Sequence, residues 1–156
     1  MSNQVKTIPD GYHTLTPYLI VKGTSKAIEF YTKALGAKEI FRMEMDGGVI
    51  GHAEVQIGNS RFMIADEFPD MEGVLGPASC GGTPVTFMIY VDNVDAVSER
   101  ALSVGMKIKK PITDQFYGDR SGTFVDPFGH VWTIATHKED VPPEELKKRM
   151  NELYKK

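Results

Sequence analysis

Residues 52–57 read His-Ala-Glu-Val-Gln-Ile. In an extended segment His52, Glu54 and Gln56 share one side, and Ala53, Val55 and Ile57 the other. A carboxylate two residues from an imidazole can fix its tautomer and leave the second ring nitrogen to take or give a proton. The same two groups could belong to a divalent-metal site, although two donors alone are too few to hold an ion, or could form a solvated polar face. A second grouping lies in QFYGDRSGTFVDPFGHVWTIATH, residues 115–137, where Arg120 follows Tyr117. A guanidinium beside a phenol suits a bidentate clamp on a carboxylate or phosphate; the alternative is an ion pair of Arg120 with a neighbouring acid. His13 and His137 flank the ordered run and read as surface residues. His130, next to the DPFG turn and in phase with Trp132, reads as a structural hydrogen bonder. Cys80 is the single cysteine. It excludes an internal disulfide or a Cys-rich zinc site and has no neighbouring cation to activate it.

These groups need elements to position them. LTPYLIV (15–21) reads as a strand. TSKAIEFYTKALG (24–36) reads as a helix with a Thr or Ser start and Gly36 at its end. Strands follow at 37–45, 51–57 and 61–67, across the turns Asp46-Gly47-Gly48 and Gly58-Asn59-Ser60. The stretch 68–82 is rich in Gly and Pro, without periodicity, and reads as a linker or mobile loop. The order then recurs: strand 86–91, helix 95–105 with Ala96, Val97, Ala101 and Val104 turned inward, and strands at 106–112, 122–126 and 130–136. Val21 and Val91 are 70 residues apart, as are Phe62 and Trp132, while Gly36 and Gly105 are 69 apart. A βαβββ unit has been written twice, with a single-residue difference in one element. The tail after residue 137 starts a helix at a double proline and two glutamates. Leu146, Met150 and Leu153 form its apolar stripe, which suits packing on the body or on a partner.

The chain has 156 residues, 41% of them hydrophobic and 25% charged, with a formal net charge of −3. That balance argues against a nucleic-acid binder. No apolar run approaches a membrane span, and the first residues lack the apolar core of a signal peptide. A cytoplasmic location, with no membrane or nucleic-acid partner, is the expectation.

The doubled βαβββ unit, AIEFYTKALG after the first strand, VDNVDAVSERALSVG in the second half and the closing DPFGHVW together resemble the vicinal oxygen chelate superfamily. That superfamily includes glyoxalase I, the bleomycin- and fosfomycin-resistance proteins and the extradiol dioxygenases. TPYL and FYGDRSGTFVDPFGH are most similar to its PhnB-like glyoxalase-related members. The resemblance implies an α+β fold in which two tandem βαβββ modules form a curved, barrel-like mixed sheet around a cleft, in a homodimer. The expected organisation is an N-terminal segment 1–11, a single glyoxalase-like domain 12–137 and a helical tail 138–156. Within the domain, module 1 covers about 12–67, the linker 68–82 and module 2 about 83–137.

In metal-using members the ligands are His, Glu or Gln at four symmetry-related strand positions. Carried onto this sequence, those positions are Thr16 and Met63 in the first module and Thr86 and Thr133 in the second. Hydroxyls and a thioether are poor ligands for a divalent cation, so the usual metal site is expected to be absent, a displaced one remaining open. The implied cleft would take the polar side of 52–56. A 70-residue step places Gly122 and Phe124 opposite His52 and Glu54, with Arg120 in the same phase. The expected lining is then Arg120, Tyr117, Tyr18, Thr16, Met63, Thr86, Phe124 and Thr133.

Three functions fit. One is a protein that binds a small anionic molecule without the usual metal or any other cofactor. Another is a glyoxalase-like lyase, isomerase or transferase with His52 and Glu54 as acid/base groups or as part of a displaced metal site. The last is an interaction module that works through its dimer surface and tail helix.

Overall fold

The computed structural model describes residues 5–71 and 73–155. Residues 1–4 of the N-terminal segment, Glu72 of the linker and Lys156 of the tail lie outside the described residues. The chain divides between Gly82 and Thr83 into two compact units. The first contains β1 (Tyr18–Val21), α1 (Thr24–Leu35), β2 (Lys38–Glu44), β3 (Ile50–Ile57), β4 (Ser60–Asp66) and a short α2 (Pro77–Cys80). The second contains β5 (Thr86–Tyr90), α3 (Val94–Ser103), β6 (Lys107–Asp114), β7 (Asp119–Val125), β8 (Val131–His137) and α4 (Pro143–Leu153). The sheet orders are β1-β4-β3-β2 and β5-β8-β7-β6. In each sheet the first and last strands of the module run parallel and the other neighbours antiparallel. The expected α+β fold of two βαβββ modules is present.

Each core follows from alternation. Leu19, Val21, Ala53, Val55, Phe62 and Ile64 are buried on the α1 side of the first sheet, against Ala27, Ile28 and Tyr31. Phe124, Trp132 and Ile134 do the same beneath α3, against Val94 and Ala101. Each such aliphatic or aromatic side chain stabilises its module by about 1.5–3 kcal/mol. Ala96 is exposed, contrary to expectation, while Val94 and Ser98 are buried. The inward stripe of α3 thus lies at 94, 98 and 101.

Helix starts are tied by the last strand of each module, which lies beside the first. Gly23, not a Thr or Ser, occupies the N-cap of α1, at a φ of 93° that favours glycine. The Asp66 carboxylate accepts from the Gly23 and Thr24 amides at 2.9 and 2.8 Å, and from Ile50 N at 2.7 Å. Seventy residues on, the Thr136 hydroxyl accepts from Val94 N at 2.8 Å and donates to Val91 O at 2.8 Å. Asn93 adds a local cap on Ala96 N.

The ladders locate the length differences. Tyr18 pairs with Met63 and Met88 with Thr133, a constant step of 70. Lys38 pairs with Gln56 and Lys107 with Val125, a step of 69, and bulges fall after Glu39 and Ile108 at that same step. One residue is lost between the start of the second helix and β6: α3 is two residues shorter than α1, and the link after it is one residue longer. It is regained in the β7–β8 turn. Ile57 and Ser60 close the first hairpin, whereas Asp126 N reaches His130 O at 3.0 Å across Pro127-Phe128-Gly129. Two offsetting changes replace the single one expected.

Asp126 organises the longer turn. One oxygen accepts from the Phe128 and His130 amides, both at 2.9 Å, and the other from Trp132 Nε1 at 2.8 Å. His130 is buried beside the Phe87 ring. The 68–82 segment is less free than its composition suggests. It carries a Phe68–Val74 bridge and α2, and Glu67 accepts from Gly76 N and Ser79 Oγ, both at 2.9 Å.

Candidate functional site

The side of the first sheet away from α1 is where polar and aromatic groups gather. Tyr18, Met63, Glu54 and Phe41 are successive ladder partners across it, and His52 pairs with Met43 in the next row. The Tyr18 hydroxyl lies 3.0 Å from His52 Nδ1, and the two rings meet edge-on at 5.6 Å. His52 Nε2 is 3.8 Å from a Glu54 oxygen, beyond hydrogen-bond length. The expected pair therefore shares a side, but Tyr18 rather than Glu54 fixes the imidazole. Both side chains are about three-quarters buried, whereas Tyr18, Phe41 and Met43 are about half exposed.

The N-terminal approach covers one end of this side. Arg61 donates to Asp10 O at 3.1 Å and to Gln56 Oε1 at 3.2 Å, with its guanidinium 5.2 Å from the centre of the Tyr12 ring. Gly11, at a φ of 83°, leaves room for that guanidinium where a Cβ would collide with it. The Tyr12 phenol is pushed up to about 12, by burial first and by the adjacent Glu54 carboxylate second. Tyr12 was not anticipated; the signal available was an aromatic six residues before a β-strand. Thr16 lies before β1 rather than in it, because Pro17 has no N–H for the ladder.

In the second module the 69-residue step of β7 corrects the expected faces. Ser121 and Thr123, not Gly122 and Phe124, correspond to His52 and Glu54. Phe124 is fully buried against the core, and Gly122 admits Ile112, which a Cβ would meet at 2.8 Å. Arg120 sits on the helix side as well. It grips both oxygens of Asp95, in the first turn of α3, at 2.8 and 2.9 Å, and Asp114 at 3.2 Å. Arg120 holds Asp95 below the usual carboxylate range, and the two acids raise the guanidinium in turn. The Tyr117 ring packs edge-on against Phe116 in the β6–β7 turn. Thr86, Met88 and Thr133 do lie away from α3, and Thr133 shares a 2.9 Å hydrogen bond with Thr123.

Another polar group assembles at the ends of β5, β7 and β8. Buried Asp119 accepts from the Tyr90 hydroxyl at 2.9 Å and is 2.8 Å from His137 Nδ1, while His137 Nε2 is 3.0 Å from Asp140. Asp119 first, then Asp140, raises the His137 pKa. Tyr90, Val91, Asp92, Thr136 and His137 line a shallow cavity of about 430 Å³. His137 is half exposed, as a surface reading allows. Asp119 lies 18 residues before His137 and Tyr90 lies 29 before Asp119, so only the ladder brings the three together.

Residues 12–134 match the model of the Glyoxalase/Bleomycin resistance protein/Dioxygenase superfamily. An uncharacterised protein of Mycobacterium bovis, Mb0911c, is 38% identical over 139 residues, covering 88% of this chain and 91% of its own length. Among solved structures, the PhnB protein from Bacillus cereus superposes with a TM-score of 0.63 at 17% identity, covering 80% of this chain and 99% of that one. The fosfomycin resistance protein FosX from Listeria monocytogenes, solved with Mn(II) and sulfate, gives 0.59 at 22% identity, covering 88% and 97%. Two βαβββ modules in tandem and a family match across nearly all of both make this chain a member of the glyoxalase/bleomycin resistance/dioxygenase superfamily.

Proposed function

We propose that the protein binds a small molecule on the sheet sides turned away from its helices, in the cleft and homodimer that the family resemblance implies, without the family's divalent cation. The observation that carries this is the row Tyr18–Met63–Glu54–Phe41 with His52 beside it: accessible rings and a thioether around a few polar groups. Apolar walls with sparse, directed polar atoms are the usual makeup of a ligand site. Thr16, Met63, Thr86 and Thr133 offer hydroxyls and a thioether, and the Thr133 hydroxyl already has Thr123 as partner. That donor set does not fit a hard or borderline divalent cation. Arg120, on which an anionic ligand was expected to rest, is engaged by Asp95 and Asp114 and lies outside the proposed site. No helix among the described residues is long and apolar enough to cross a membrane, and a cytoplasmic location is part of the proposal.

A thermal-shift screen of metals and small metabolites tests it, since a ligand selective for the folded form raises Tm. Stabilisation by organic molecules with no stoichiometric Ni, Zn, Fe or Mn in the purified protein is expected. A bound metal whose removal abolishes ligand binding overturns the metal-free reading.

The 3.0 Å Tyr18–His52 contact favours a second reading, a glyoxalase-like enzyme in which an oriented His52 exchanges a proton with substrate. His52→Ala then abolishes turnover while the fold persists. Full turnover in that variant removes His52 as the acid or base.

A further inference from the structure

Resting on the reading that the first module's sheet binds a small molecule, we propose that this ligand is a cation: an ammonium or amidinium on an apolar body, its charge at Glu54 and its body over Met63, Phe41 and Tyr18. The sign follows from which charged group stands in the row of accessible rings itself. Arg61 is held at the covered end by Gln56, the Asp10 carbonyl and the Tyr12 ring. Lys38 is exposed on the edge strand, its backbone paired with Gln56, a row away from Glu54. Glu54 is different. Its side chain is 23% exposed, and its neighbours are the His52 ring at 3.8 Å and the Tyr12 phenol. Among the described residues no lysine or arginine nitrogen forms an ion pair with it.

A largely buried carboxylate beside accessible rings is a cation's environment. Water screens it less than a surface acid. Aromatic faces attract positive charge, and thioethers adapt to an apolar body. Phe41 pairs directly with Glu54, and Met63 lies between Glu54 and Tyr18 in the same row, so charge and body would contact adjacent side chains. A carboxylate or phosphate ligand would meet the like charge of Glu54 there. Arg120, the basic residue expected to receive it in the second module, lies on the helix side and is held by Asp95 and Asp114.

The experiment is an NMR titration of the full chain at about pH 8 and low salt, with benzyltrimethylammonium, benzyl alcohol and benzoate as matched probes. The expected result is an affinity for the cation about tenfold above that for the alcohol, with benzoate weakest. In Glu54→Gln the cation falls to the level of the alcohol, whose own binding is unchanged. Should that variant not fold by circular dichroism, Phe41→Lys, on the exposed edge strand, is the second reading: it weakens the cation and strengthens benzoate. Benzoate binding as tightly as the cation, or a cation affinity that neither variant lowers, overturns the proposal. Equal binding of all three probes overturns it too but leaves the small-molecule reading standing. Absence of any binding up to about 50 mM, a range that still detects very weak sites, removes both.

Discussion

The two modules share one backbone plan and distribute their chemistry in opposite ways. The first places Tyr18, His52 and Glu54 on the side away from its helix, where they remain accessible. In the second, the corresponding strand offers Ser121 and Thr123, and Thr123 is satisfied by Thr133. Its stronger polar groups serve structure. Asp126 holds a turn, Arg120 ties β7 to α3, and Asp119 joins Tyr90 to the start of the tail. Identical ladders therefore do not imply identical duties: one copy carries the candidate site while the other is built for fastening.

The sharpest way to break this contrast is Phe124→Ala. If Phe124 is core, truncation costs about 3–5 kcal/mol in urea unfolding; if it were a pocket wall, as a 70-residue step across β7 implies, stability would hardly move. Next come the two ties at the helix starts. Asp66→Ala strands three backbone amides and should cost about 2–4 kcal/mol, whereas Thr136→Val loses a neutral hydroxyl and should cost about 1–2 kcal/mol. Equal costs would mean that the charge on Asp66 adds nothing.

The smallest effect concerns His137. Its pKa is higher in the folded chain than unfolded, because Asp119 and then Asp140 favour the imidazolium. That stabilisation is fully present below the unfolded value of about 6.5 and is lost as pH rises through the folded value. The Tm advantage of the native chain over His137→Gln should therefore be largest in mild acid and shrink on the alkaline side. An advantage that grows with pH would contradict the charged bridge.

Much of the fold was legible because period-two strands and two 70-residue spacings speak directly of a duplicated unit. The pairing of His52 with Glu54 on one side was equally legible, since alternation within one strand needs no partner. The second module's face assignment had a signal in the 69-residue Gly36–Gly105 spacing, which does not tell where the lost residue is regained. Val21/Val91 and Phe62/Trp132 both lie outside the stretch between the shortened α3 and the lengthened β7–β8 turn. Each anchor pair gives 70, and the two changes cancel between them. Phe124 and Arg120 were thus placed one residue out of phase, on the wrong side of the sheet. The Tyr18–His52 bond joins strands 34 residues apart, and Asp119–His137 depends on hairpin register. Neither has a local signature.

The extra residue in the Pro127-Phe128-Gly129 corner has a consequence for how duplicated halves diverge. One residue lost before β6 and one gained after β7 renumber the hairpin between them and leave its strands seated as before: the inward Ala53 and Val55 of the first module answer to the inward Gly122 and Phe124 of the second. Copies of a module thus drift in count at their connections while each side chain of the intervening strands keeps its side.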